Sequence, residues 1–338
     1  MKDKRILIIG PIFDSNSGPV GPGGFLYTKL KEKGYTVIKT SHFRNKILRM
    51  FHSLYSVLDY EKYDLILLQS YGLLAFFMED FVSRIAFLLK KPIVFTLHGG
   101  AFHEFYEKYP NWVNKVLSRA TTITSPSMFI KSYFENIGYD IIYIPNSIDM
   151  TIFEEKRNVK NFSLLWVRAF QDIYNPQLAI ISFSKILPKF PDACLTMVGP
   201  DKGELENCKK LIAKLNLESQ ITITGFIPNH ELPILFNSHH VYLNTTKYES
   251  FGVALIEAGS CGIPCVSTSV GEIPLIWKDK YNILLSDQSA NMFSQKIEML
   301  LTDEQLYKSI SLNCKSNVKK YDWDVIYQSW KELINKNI

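Results

Sequence analysis

The chain has 338 residues, 46% of them hydrophobic and 21% charged, a balance that excludes a disordered tail-like protein and leaves room for about two domains of ~150 residues each. The formal charge of +5 does not call for nucleic acid and suits anionic substrates or lipid head groups. Five cysteines, Cys194, Cys208, Cys261, Cys265 and Cys314, make neither an even set nor a CxxC pair, so reduced core thiols in the cytosol are expected rather than a disulfide framework.

The opening MKDKRILIIG reaches a glycine after a short apolar run, too short for the core of a signal peptide. A glycine-rich loop follows, with Gly18, Gly21, Gly23 and Gly24 ahead of the helix FLYTKLKEKG. Glycines there let backbone approach a phosphate with no Cβ in the way; a merely flexible loop is the plainer reading. The spacing is not GxGxxG, and the next strand, VIKTSH, ends without the acidic residue that a dinucleotide ribose needs. SHFRNKILRMFHSLYSVL carries Arg44, Lys46 and Arg49 beside Leu48, Phe51, Leu54 and Tyr55. It is either a basic amphipathic helix for a membrane surface or a helix covering the sheet with a solvated basic face. The greasy stretch Leu73 to Leu89 is broken by Glu79, Asp80, Ser83 and Arg84, short of the roughly 18 apolar residues that a membrane span needs.

RILIIG, DLILLQ, PIVFTLHG, ATTITS and DIIYIPN are apolar runs with room for one helix between each pair, the pattern of a parallel sheet with crossover helices. Asp149 to Asn161 is polar and reads as a linker, after which SLLWVRA, ACLTMVG, QITITGF, HVYLNTT, IPCVST and YNILLS restart the rhythm. DEQLYKSISLNCKSNV and WDVIYQSWKELINK read as two further helices. The expected organisation is an N-terminal Rossmann-like domain over 1–152, a C-terminal one over 153–318, and a helix over 319–338 packing back across the junction.

Ligands of open parallel sheets sit beyond the carboxyl ends of the strands, so the residues just after each strand carry the chemistry. His98, ending PIVFTLHG with Gly99 and Gly100 behind it, can hydrogen-bond a sugar hydroxyl there, unless it is a structural histidine. In KYESFGVALIE, Glu249 lies in the loop after VYLNTT and Glu257 inside the next helix, two carboxylates at different depths of one pocket. The helix start around Ser250 to Gly252 offers N–H groups to a diphosphate, and the carboxylates accept hydrogen bonds from sugar and ribose hydroxyls. The bland reading is an acidic residue favouring the helix dipole plus a solvated helix glutamate.

ESFGVALIE resembles the E-x7-E signature of the family 4 retaining glycosyltransferases of the GT-B fold, also known as glycosyl transferases group 1. IPNSID, TLHGG, the pair Gly23-Gly24 and EAGSCGIPCVSTSVGEIPLI resemble further family segments in the same order, so the resemblance spans essentially the whole chain. It implies an α/β protein with two doubly wound parallel-sheet domains facing across a cleft. Glu249 would meet the donor sugar, Glu257 the ribose, and the Ser250, Phe251 and Gly252 region the sugar and phosphate, with Gly23 and Gly24 closing the phosphate side. Arg168 would receive the diphosphate, Gly225 and Phe226 would hold the nucleobase, and His98 would join Glu249 and Arg168 at the reacting centre. One departure is plain: the lysine that the family usually places about six positions after that arginine is missing from RAFQDIYNP, where Tyr174 and Asn175 stand, and Lys247 or Lys202 could substitute.

The implied function is a retaining transfer from a nucleotide-diphosphate sugar to a glycan or lipid-linked acceptor, in cell-surface polysaccharide or glycoconjugate synthesis. No cofactor or metal is expected, and no nucleic acid. The expected location is cytoplasmic, with peripheral contact at the inner face of the membrane as a further option. A nucleotide-sugar epimerase of the same fold and a non-catalytic sugar-nucleotide binding protein, the latter motivated by the missing lysine, stay open beside it.

Overall fold

Every apolar run named above forms a strand in the computed structural model, which describes residues 4–12, 21–40, 46–72, 75–98, 102–159 and 162–338. The chain divides into two units, Met1–Asn146 with Ile326–Ile338, and Ser147–Val325. Gly18, Arg44, Gly99 and Gly100 lie outside the described residues.

The first unit runs β1 (Arg5–Ile9), α1 (Pro22–Glu32), β2 (Thr36–Lys39), α2 (Lys46–Leu58), β3 (Leu65–Ser70), α3 (Phe76–Leu88), β4 (Ile93–Leu97), α4 (Phe102–Lys108), α5 (Pro110–Leu117), β5 (Thr122–Ser125), α6 (Met128–Asn136) and β6 (Ile141–Tyr143). Its sheet is parallel, ordered β2-β1-β3-β4-β5-β6. Only the first crossover steps toward the β2 edge, and right-handed connections therefore send α1 to one face and all later helices to the other. One core accordingly joins Val57, Phe76, Val113 and Ile130 from the later helices to Ile66, Leu68 and Phe95 of the sheet. The α1 face is completed from the far end of the sequence. Tyr327 lies under the Lys33 ammonium at 5.0 Å, Lys4 Nζ donates to Asn335 Oδ1 at 2.7 Å, and Asn337 bonds Thr122 at 3.3 Å.

The second unit runs β7 (Ser163–Val167), α7 (Pro176–Ile186), β8 (Cys194–Val198), α8 (Leu205–Lys214), β9 (Ile221–Gly225), α9 (Leu232–Ser238), β10 (Val241–Asn244), α10 (Val253–Ser260), β11 (Cys265–Thr268), α11 (Ile273–Ile276), β12 (Leu284–Ser286), α12 (Ala290–Thr302) and α13 (Glu304–Val318). The last helix, α14 (Trp323–Asn337), begins here and passes into the first unit from Ile326. The sheet is again parallel, in the order β12-β11-β10-β7-β8-β9. Its strands are apolar on both sides: Leu164, Trp166, Val241 and Leu243 feed one core, while Leu165, Tyr242 and Cys265 feed the other. The segment expected as a linker packs within this unit, with Lys156 N–H on Asn237 Oδ1 at 2.7 Å.

The five cysteines are free thiols, four of them buried, and burial pushes Cys208, Cys261 and Cys314 up to about 12. Among the described residues no helix is long and apolar enough to cross a membrane.

Candidate active site

The strand order of the second unit reverses between β7 and β10, and at such a switch point the loops after the two strands diverge and leave a crevice. Pairing of Leu165 with Tyr242 and Trp166 with Leu243 brings the ends of these strands level. Arg168 follows β7 and Glu249 follows β10, and the two meet in an ion pair between Nη2 and Oε2. Both side chains are largely buried. The same Nη2 lies 3.4 Å from Asn244 Oδ1, and the guanidinium stacks over the Tyr174 ring at 5.1 Å. Burial pulls against its charge, but the Glu249 carboxylate, helped by Tyr242, Tyr174 and Glu257, more than offsets this and holds Arg168 above its ordinary value. Its buried Nε–H has no hydrogen-bond partner among the described residues.

Two glycines far away in sequence fix the backbone of this pair. A Cβ on Gly199, just after β8, would stand 1.8 Å from the Arg168 carbonyl oxygen. One on Gly271 would stand 2.1 Å from that of Glu249, and Gly271 also has φ +55°, which a side chain resists. The Glu249 carbonyl accepts the Glu272 N–H at 2.9 Å. The loop before it is pinned through Lys247, whose N–H donates to the Ile173 carbonyl at 2.7 Å and whose ammonium pairs with Asp172 at 2.5 Å. Lys247 thus serves the loop rather than the arginine, and Tyr174, in the stretch of the missing lysine, contributes a ring where a second cation was sought.

Glu257 is buried in α10, whose cap is Gly252 at φ 86°. Burial raises its carboxyl to about 8, against the opposing pull of Arg168 and a hydrogen bond with Asn229, so it holds its proton at neutral pH. Asn229 lies just beyond Gly225 and Phe226, so the β9 loop and the α10 carboxyl form one wall. Phe226 is partly exposed, whereas the Phe251 ring is buried edge-on against Tyr321 at 5.3 Å and leaves only its backbone for a ligand. The Phe251 N–H points to Glu249 Oε1 at 3.5 Å. Ser250 is half-buried between them.

In the first unit the switch point falls between β1 and β3, and its residues are Gly10, Gln69 and, one strand on, His98. His98 is buried, stacked on Tyr71 at 5.1 Å, with Nε2 on Gln69 Oε1 at 2.5 Å. Burial lowers it to about 4, which makes it a neutral imidazole at physiological pH. Gly23 and Gly24 are inside the first turn of α1 rather than ahead of it, because Pro22 starts the helix at a position where its missing N–H costs nothing. Gly24 N–H donates to the Gly21 carbonyl at 3.0 Å, and the bare face of Gly23 admits the Gln69 side chain, 3.3 Å from where a Cβ would be.

Tyr174, Asn244, Asn229, Gly199 and Gly271 were not singled out from sequence as parts of the site. For the asparagines and glycines the signal is a polar residue or a glycine at or soon after a strand end, weak until the strand order is known, and Tyr174 has no such signal.

The sequence profile described as glycosyl transferases group 1 matches residues 147–317, and that of glycosyltransferase family 4 matches 19–151. The chain is 28% identical over 209 residues to N-acetyl-alpha-D-glucosaminyl L-malate synthase of Bacillus anthracis, covering 61% of this chain and 53% of that protein. It is 27% identical over 199 residues to D-inositol 3-phosphate glycosyltransferase of Pseudarthrobacter chlorophenolicus, covering 54% of this chain and 47% of that protein. It therefore spans about half the length of these relatives. Among solved structures it resembles Anabaena HepE in complex with UDP and glucose, with a TM-score of 0.79 at 17% identity over 98% of this chain and 100% of that one. That likeness carries the GT-B fold expected from the sequence.

Proposed function

Because this chain belongs to the family of group 1 glycosyl transferases, we propose that it transfers a sugar, with retention, from a nucleotide-diphosphate sugar to a glycan or lipid-linked acceptor in cell-surface polysaccharide or glycoconjugate synthesis. The observation that carries this reading is the buried Arg168–Glu249 pair at the switch point, with an unpartnered Arg168 N–H beside it. A diphosphate entering there competes with Glu249 for the guanidinium and frees the carboxylate for the sugar's hydroxyls. The Phe251 and Gly252 backbone meets the sugar and phosphate side. Glu257, carrying its proton, can both donate to and accept from ribose hydroxyls, while Gly225 and the exposed ring of Phe226 border the base.

In the reaction the bond between anomeric carbon and phosphate oxygen breaks, and the electron pair leaves with the nucleoside diphosphate. Arg168 stabilises that departing charge more than it does the intact donor, which is the condition for faster chemistry. The acceptor oxygen attacks the face just vacated, and its proton passes to the leaving phosphate. His98, neutral and tied to Gln69, serves as a hydrogen-bonding group for sugar and not as an acid, with Gly23 and Gly24 on the phosphate side. Charge is thus handled by protein groups, and the reading includes full turnover in chelator. Loss of activity in EDTA that Mg²⁺ or Mn²⁺ restores would contradict that part.

Thermal-shift screening of nucleoside diphosphates and their sugars, UDP-glucose included because of the HepE complex, followed by transfer assays with the stabilising donor, tests the whole reading. Conversion of donor without acceptor would point to an epimerase. Tight binding without transfer to any of a broad acceptor panel would point to a binding protein.

A further inference from the structure

The first unit holds a buried polar side chain whose bonding is half complete. Gln69 stands near the end of β3, beside Thr96 of β4, and is 2% exposed. Its Oε1 meets His98 Nε2 at 2.5 Å, whereas Nε2 of the same carboxamide is buried with no hydrogen-bond partner among the described residues. A buried donor without a partner is costly, and the side chain would turn toward water if it could. It is held in place instead. A Cβ on Gly10, just after β1, would stand 2.8 Å from Gln69 Cβ and 3.0 Å from its Cγ, and a Cβ on Gly23 would stand 3.3 Å from that Cγ. Two bare stretches of backbone thus form a slot that only this side chain fills.

His98 is fixed from the other side. Its backbone N–H donates to the Ser70 carbonyl at 2.8 Å, and its ring lies on that of Tyr71 with the planes 16° apart. Tyr71 is steadied in turn by the buried Glu79, which accepts the Tyr71 N–H at 3.2 Å and the Ser70 hydroxyl. An amide oxygen can only accept, so His98 Nε2 carries the proton and Nδ1 keeps its lone pair. Burial keeps the ring neutral down to about 4. Gln69 and His98 therefore offer a donor and an acceptor without charge, which suits the hydroxyls of a sugar better than the oxygens of a phosphate. We propose that Gln69 reads the bound saccharide: its free N–H donates to a sugar hydroxyl, while its oxygen holds His98 in the one tautomer that accepts from another.

This rests on the proposed transfer of a sugar and adds a residue that selects it, and its test reads structure and binding rather than turnover. Nitrogen-resolved NMR of the full chain should show a slowly exchanging imidazole proton on His98 Nε2, assigned by its loss in His98→Gln. Gln69→Met, of equal length and without polar atoms, should remove that protection. A parent without the protected proton, or a methionine variant that keeps it, would overturn the proposal. Titrations then compare UDP and GDP with UDP-glucose and GDP-mannose, and with the methyl glycosides of glucose, galactose and mannose. Gln69→Met should bind the two free nucleotides as the parent does and lose about ten-fold or more for a sugar-bearing probe. Loss confined to a sugar nucleotide would place the hydroxyl on the donor, and loss confined to a glycoside would place it on the acceptor. Sugar binding equal in parent and variant, or absent from the parent, would overturn the proposal. A parent that bound neither free nucleotide would count against the donor reading and leave the His98 proton and the glycosides to judge this one.

Discussion

Replacing Glu257 by glutamine separates a neutral acid from a carboxylate at the floor of the site. Burial raises this carboxyl from 4.5 to about 8, and in the unfolded chain it titrates at its ordinary value. Between those two pH values the folded protein holds a proton that the unfolded chain has released. Stability from this group is therefore complete below 4.5 and is lost as pH rises toward about 8. At about 1.4 kcal/mol per pH unit the whole difference is at most about 5 kcal/mol. Glutamine mimics the protonated acid and cannot ionise, so Glu257→Gln should match the parent at the acid end and exceed it by roughly 2–5 kcal/mol at alkaline pH. Urea unfolding of both proteins across the range, followed by the fluorescence of the buried Trp166 and Trp277, measures the gap directly. Glu79, which burial raises to about 7, adds a slope of the same sign in the first unit, but both proteins share it and it cancels in the difference. Stability curves that run parallel from acid to alkaline pH would refute the neutral acid. Donor affinity should survive in the glutamine variant, which keeps a donor and an acceptor for ribose, and drop in Glu257→Ala.

Arg168→Ala should slow transfer about 10²–10³-fold through loss of leaving-group stabilisation. It should also cost roughly 3–5 kcal/mol by stranding Glu249, and Arg168→Lys should rescue the charge but not the planar fork; unchanged turnover in the alanine variant would sink the assignment. Glu249→Gln removes the competitor for the guanidinium, so calorimetry should find free nucleoside diphosphate bound more tightly while transfer slows; weaker binding would mean that the pair does not exchange partners as argued. Gly271→Ala drives a Cβ against the Glu249 carbonyl at a positive φ and should lower stability by about 3 kcal/mol or more, together with donor binding. A melting temperature equal to the parent's would show that the loop yields without cost.

The strands could be read from the sequence because parallel sheets are buried on both faces, which leaves runs such as LILLQS with no polar interruption until the strand end. Glu249 and Glu257 could be picked out through a short-range motif, whereas Arg168 came only with the family resemblance, since one arginine just past a strand signals little by itself. The groups that steady them could not be picked out, since Gly199 and Gly271 touch Arg168 and Glu249 only through the strand order. Tyr174 stood where a cation was expected, and nothing local announces that its ring stacks on Arg168. In α2 the pattern showed apolar residues without telling inside from outside: Leu54 packs on the core, whereas Phe51 and Tyr55 face out. Periodicity locates a stripe; only packing decides which of two stripes the sheet takes.

The path of α14 bears on the order in which the molecule is made. Residues 1–146 emerge from the ribosome first, yet they wait for 326–338, and the whole stretch 147–325 is translated in between. During that interval the later unit can finish folding while the earlier one still exposes the sheet surface beside α1. The nascent amino-terminal half is thus the one that needs shielding in the cell, and a message cut short before residue 326 would leave it incomplete.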